Sequence, residues 1–81
     1  MNFTAAQIKF AKEICKQNGI NPKVVTKSVG YGFWIDRCGG TFEGYIRYIA
    51  TPYVGTGVID RILMQNAIDT ANRNFGAEKL R

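Results

Sequence analysis

Apolar positions follow three patterns along the chain. In the first, Ile8, Ala11, Ile14 and Cys15 recur at i, i+3, i+6 and i+7, with Phe10 beside them and Lys9, Lys12, Glu13 and Lys16 on the other side. This is the period of an amphipathic helix. Its punctuation agrees. Thr4 is a good N-cap, Gln7 three residues later completes a capping box, and Phe3 and Ile8 have the spacing of a hydrophobic staple. Asn18-Gly19 marks the end, with Gly19 predicted left-handed and Ile20 packing back on Ile14 or Cys15. Asn21-Pro22 then favours extended backbone.

The second pattern spans Tyr31–Thr51. Two runs rich in aromatic and β-branched residues flank Gly39-Gly40. Both central residues of a type I′ turn need φ > 0, so this stretch predicts a β-hairpin. Three strands are expected at Lys23–Val29, Phe33–Cys38 and Thr41–Thr51, with Pro52 stopping the third because it has no N–H to donate. The third pattern is helical again, from about Val58 to Phe75. Ile59, Leu63, Ala67, Ala71 and Phe75 form an i+4 row, Ile62, Met64 and Ile68 lie beside it, and Asp69 and Arg73 are spaced for an ion pair. Tyr53–Gly57 reads as a loop, and Gly76 as the last helix's cap.

The expected architecture is therefore α+β, in the order α-β-β-β-α. A three-stranded antiparallel sheet carries both helices on one face, in two layers. Residues 1–76 form a single domain, and 77–81 form a frayed tail.

The Gly-Gly turn assigns the sheet faces by parity. Phe33, Ile35, Phe42, Ile46 and Tyr48 face the helices; Trp34, Asp36, Glu43, Tyr45, Arg47 and Ile49 face away. A similar turn near Gly30 places Lys27 beside Trp34. The open face then carries a row of Lys27, Trp34 and Tyr45 with Arg47 adjacent, and it opposes Asp36 to Glu43. An open face rich in aromatic and aliphatic groups marks an interaction site. The competing role for Trp34 and Tyr45 is packing, under a loop, under the C-terminal tail or in a homodimer. A one-residue shift in register exchanges the two faces.

Charge narrows the choice of partners. The net charge is +5, and the first 29 residues carry most of it: Lys9, Lys12, Lys16, Lys23 and Lys27 against Glu13 alone. Such lysines either solubilise a surface or attract a polyanion. With Arg47, they are the candidate nucleic-acid contacts. Exposed Trp34 and Tyr45 would add stacking platforms. The predicted element order is similar to that of the double-stranded-RNA-binding domain. In that family a lysine cluster opens the last helix; the matching positions here are Val58, Ile59, Asp60 and Arg61, so its RNA binding is not carried over.

Enzyme chemistry has few footholds. The chain has no histidine and one serine, Ser28, which removes Ser-His and Cys-His pairs. Cys15 and Cys38 are the two cysteines, expected as free thiols with Cys38 the more reactive, and no metal or cofactor is expected. Asp36 and Glu43 lack an environment that would tune one against the other. Gly55-Thr56-Gly57 before a helix is a weak anion-site signal and reads better as helix capping. No apolar run approaches the ~18 residues of a membrane span, and the start Met1-Asn2-Phe3-Thr4 has no signal-peptide pattern, so the expected compartment is the cytoplasm.

The reading that follows is a small non-catalytic binding module. In size and style it resembles small phage and mobile-element inhibitors, such as anti-CRISPR and other anti-defence proteins. A protein-binding inhibitor or adaptor is expected, acting through Trp34, Tyr45, Arg47, Lys27, Asp36, Glu43 and Ile49. The partner is a protein or nucleoprotein rather than bare nucleic acid, with no membrane role and with homodimerisation through the same face open. A nucleic-acid-binding domain is the alternative, and a small enzyme ranks last.

Overall fold

The computed structural model describes residues 2–53 and 61–75, and among these the fold is all-α. Helix α1 spans Ala5–Gln17, α2 Tyr31–Cys38, α3 Phe42–Ala50 and α4 Arg61–Phe75, with short 3₁₀ turns at Pro22–Val24 and Thr51–Tyr53. The α+β expectation is therefore wrong. Among the described residues there is no sheet, only an isolated antiparallel bridge between Asn2 and Ser28. The likeness to a double-stranded-RNA-binding domain falls with the strand order on which it rested.

Where the signals were local, they hold. The Thr4 hydroxyl accepts from the Gln7 N–H at 3.2 Å, and the Gln7 side-chain carbonyl accepts from the Thr4 N–H at 2.8 Å, so the capping box is complete. Gly19 adopts φ 71° and Ile20 is buried, its N–H bonded to the Cys15 carbonyl at 2.8 Å. Gln7 is fully buried, and Ile8 only half-buried.

The centre is a helical hairpin instead of a β-hairpin. Gly39 and Gly40 do take positive φ, 64° and 73°, as the turn reading required. Here the left-handed pair ends α2, and the Trp34 carbonyl accepts from both glycine N–H groups. Thr41 then caps α3, its hydroxyl accepting from the Gly44 N–H at 3.1 Å. Trp34 and Cys38 are one turn apart on α2's buried side; Phe42, Tyr45, Ile46 and Ala50 make the buried stripe of α3. Aromatic and β-branched residues lower helix propensity only slightly, and burying this stripe outweighs that preference.

Helix α3 is central, packing on α2 and on α4. Its approach to α2 is very close at Gly44, where any β-carbon would collide with the Cys38 backbone carbonyl. Aromatic rings fill the space beyond. Phe42 stands edge-on to Phe75 at 5.1 Å and to Phe3 at 5.9 Å, and it meets Phe10 at 6.0 Å. Phe3 also meets Tyr45 at 4.4 Å and Trp34 at 5.8 Å. The Phe3 N–H donates to the Lys27 carbonyl at 3.0 Å, which ties the start of the chain to the segment between α1 and α2.

On α4, Met64, Ala67, Ile68 and Ala71 are the buried positions, so the apolar face is rotated from the expected row, and Leu63 is exposed. The Asp69–Arg73 pair does not form. Asp69 accepts from the Gln65 amide at 3.0 Å, and Arg73 donates to Thr70 at 3.3 Å. The expected start of this helix at Val58, the Gly55-Thr56-Gly57 stretch and the 77–81 tail lie outside the described residues.

Two predictions test this arrangement. Gly32 lies in α2 with open space around it, whereas Gly44 is pressed on a backbone carbonyl. Gly32→Ala should stabilise the protein by about 0.5–1 kcal/mol through helix propensity. Gly44→Ala should destabilise it by about 2–3 kcal/mol or more, because overpacking overrides the same gain. A pair of hairpin strands would give no such opposition of sign in thermal melts. Trp34, the single tryptophan, is buried among rings. Its emission should be blue-shifted and protected from acrylamide; red-shifted, quenchable emission would contradict the fold.

Candidate functional site

A groove of about 520 Å³ lies between the 24–30 segment and the outer side of α3. The local sequence explains both walls. Asn21 accepts from the Lys23 N–H at 3.0 Å and starts a 3₁₀ turn at Pro22, after which the chain runs extended to Gly30, the N-cap of α2. Across from it, Tyr45, Tyr48, Ile49 and Pro52 recur at i, i+3, i+4 and i+7 and present a second apolar stripe beside the core stripe of α3. Phe33 of α2 also lines it, edge-on to Tyr48 at 4.8 Å.

Hydroxyl groups punctuate this apolar lining. The Thr26 N–H donates to the Tyr45 hydroxyl at 3.2 Å, so a phenol from the core holds the opposite wall in place. The Thr26 hydroxyl lies 3.5 Å from the same oxygen and donates to the Ser28 carbonyl at 3.1 Å. Thr51 donates to the Arg47 carbonyl at 2.8 Å, which tightens the end of α3. Val24 and Tyr48 are the exposed large apolar groups of the groove, each about two-fifths accessible. Among the described residues, no lysine, arginine or carboxylate lines it.

The residues expected on an open sheet face are dispersed. Trp34 and Tyr45 are core residues, 7% and 3% exposed, so the aromatic row does not lie on a surface. Each ring instead meets Phe3 in the core, because the helical period buries positions that an alternating strand would expose. Ile49 is half-buried and lines the groove. Lys27 is exposed on the 24–30 segment, and Asp36 is exposed on α2. Asp36 does not oppose Glu43 across a ladder; Glu43 instead meets Arg47 one helical turn away at 3.8 Å. That pair is solvent-exposed and of little energetic weight. Lys9, Lys12 and Lys16 are exposed on α1, and Lys23 is exposed on the first 3₁₀ turn.

Sequence reasoning assigned Phe33 and Tyr48 to the core and gave Val24, Thr26 and Pro52 no part in a binding site. The i, i+3, i+4, i+7 recurrence from Tyr45 to Pro52 was the available signal. An apolar arc that wide exceeds what one neighbouring helix covers.

Among the described residues no cluster of three metal-ligating side chains occurs, and no helix is long and apolar enough to cross a membrane. Set against known proteins, the chain matches no family, no curated protein and no solved structure.

The two thiols are poor nucleophiles here. Cys15 and Cys38 are free and buried, and desolvation raises the pKa of each. Cys38, expected at the end of a β-hairpin, lies instead at the end of α2 and is 3% exposed, against 1% for Cys15. Because the thiolate is the reacting form, both should label with a disulfide reagent at pH 8 roughly tenfold or more slower in the native protein than in denaturant. Rapid native labelling of Cys38 alone would show that the α2–α3 junction is open in solution.

Proposed function

We propose that the protein is a small non-catalytic binding module, an inhibitor or adaptor, that takes an apolar segment of a protein partner into the groove beside α3. The observation that carries this reading is the groove itself: about 520 Å³, aromatic and aliphatic, with exposed Val24 and Tyr48 at its surface. Rigid aromatic groups with a polar tip bring large contact area at low entropic cost, and they dominate protein-binding hot spots. The Thr26 and Ser28 hydroxyls offer hydrogen bonds to a peptide backbone. Among the described residues of this lining, a charged metabolite would find no ionic partner and acid–base chemistry no titrating pair. The size of the domain and its resemblance to small anti-defence inhibitors agree with a role exerted by covering a partner's surface.

The test is recovery of the partner after nuclease treatment, followed by affinity measurement with variants of the exposed wall. Tyr48→Ala and Val24→Asp should each weaken binding by about 30-fold, the loss of one hot-spot anchor. Because both side chains are substantially exposed, the melting midpoint should stay within about 3 °C of wild type. A nuclease-resistant protein partner that binds both variants with undiminished affinity would sink this reading.

A further inference from the structure

On the first helix, Lys9, Lys12 and Lys16 are all exposed, and their i, i+3, i+7 spacing aligns them along one side of α1. The row extends over about 10 Å at 1.5 Å per residue. Together with Ala5, Ile8 and Glu13 they line a shallow depression of about 430 Å³. None of the three lysines has a carboxylate partner among the described residues, where the ion pair present is Glu43–Arg47.

We propose that this lysine face of α1 binds the phosphodiester backbone of a nucleic acid. The cations are lysine without arginine. Lysine is depleted in protein–protein interfaces and arginine enriched, whereas lysine serves phosphate as a mobile point charge. The face has no exposed aromatic anchor, which a protein partner would need and a phosphate chain would not. Insertion into a lipid surface would require the apolar side of α1, and that side, Ala11, Ile14 and Cys15, is already buried in the core. One carboxylate, Glu13, shares the face and sets an upper limit on its affinity. The inference goes beyond the groove and uses none of its residues. A partner that is itself a nucleoprotein would engage both surfaces.

Two double variants separate position from net charge. Lys9→Gln with Lys12→Gln, and Lys23→Gln with Lys27→Gln, each remove two exposed cations. The probes are a fluorescein-labelled 20-base-pair duplex, its single strand, and a polyglutamate peptide of matched charge, titrated from 50 to 200 mM salt. With about three phosphates neutralised, log–log salt slopes of about −2 to −3 are expected, a loss of about 15- to 60-fold across that range. The α1 double variant should bind about tenfold or more weakly with its slope near −1, and Lys9→Arg with Lys12→Arg should restore both. The 23/27 variant should keep the wild-type slope. Equal losses in the two Gln variants would reduce the effect to net charge and overturn the assignment. So would absence of binding to both nucleic acids, or equally tight binding of polyglutamate. Circular dichroism of each variant confirms that a loss is not unfolding. Loss of groove function in Tyr48→Ala leaves these measurements untouched, so the two readings fail separately.

Discussion

The ring of Phe42 is where the separate parts of this protein meet. It touches Phe3 ahead of α1, Phe10 on α1 and Phe75 at the end of α4, and it stacks near Tyr45 on its own helix. Each aromatic pair contributes about 0.5–1.5 kcal/mol beyond area burial. The ring is 3% exposed, and its removal belongs to the class of core truncations that cost about 3–5 kcal/mol. In a domain this small such a term is a large share of total stability. What holds Phe42 there is backbone geometry. Two left-handed glycines turn the chain, Thr41 caps α3 immediately before Phe42, and Gly44 lets α3 lie against the Cys38 carbonyl.

The same geometry explains which parts of the fold were legible in the sequence. The capping box at Thr4 and Gln7 and the left-handed Gly19 depend on neighbours within four residues, so the pattern alone identified them. The centre was not decidable by those means. A β-hairpin and a helical hairpin can both place left-handed glycine at the turn, so Gly39-Gly40 fits either. Length gives no help, because α2 and α3 have 8 and 9 residues, within the range of ordinary strands. Composition pointed to strands. Periodicity pointed the other way through Phe42, Tyr45, Ile46 and Ala50, whereas Trp34 and Cys38 at i, i+4 fit either period. An alternating assignment keeps Trp34 with Cys38 but separates Tyr45 from Phe42, Ile46 and Ala50, leaving Trp34 and Tyr45 on open surface. The helical period gives both residues a core.

That choice of period governs the candidate site as well. As a strand, residues 45–49 would present Tyr45 and Ile49 outward together with Arg47. As a helix they turn Arg47 outward, bury Tyr45 and let Tyr48 and Ile49 form a groove wall. Tyr45 thereby changes role without leaving the site. Its ring belongs to the core with Phe3, and its hydroxyl reaches the Thr26 N–H on the far wall. The groove is thus fastened to the aromatic cluster by one residue, so a partner seated against Tyr48 would meet a wall already held in place by the core.

The lysines were legible in position, since exposed residues on a correctly assigned helix stay exposed. Their separation from the groove follows from how α1 is used. Its buried side, Gln7, Ala11, Ile14 and Cys15, packs into the core, which leaves Lys9, Lys12 and Lys16 on solvent. The described residues of the groove lining carry no formal charge, whereas those of the α1 face carry three cations and one carboxylate. Desolvating an apolar groove changes little with salt, while phosphate contacts weaken steeply as counterions compete. The two proposed sites would therefore differ in ionic-strength response: binding at the lysine face would weaken as salt rises, while binding in the groove would change little.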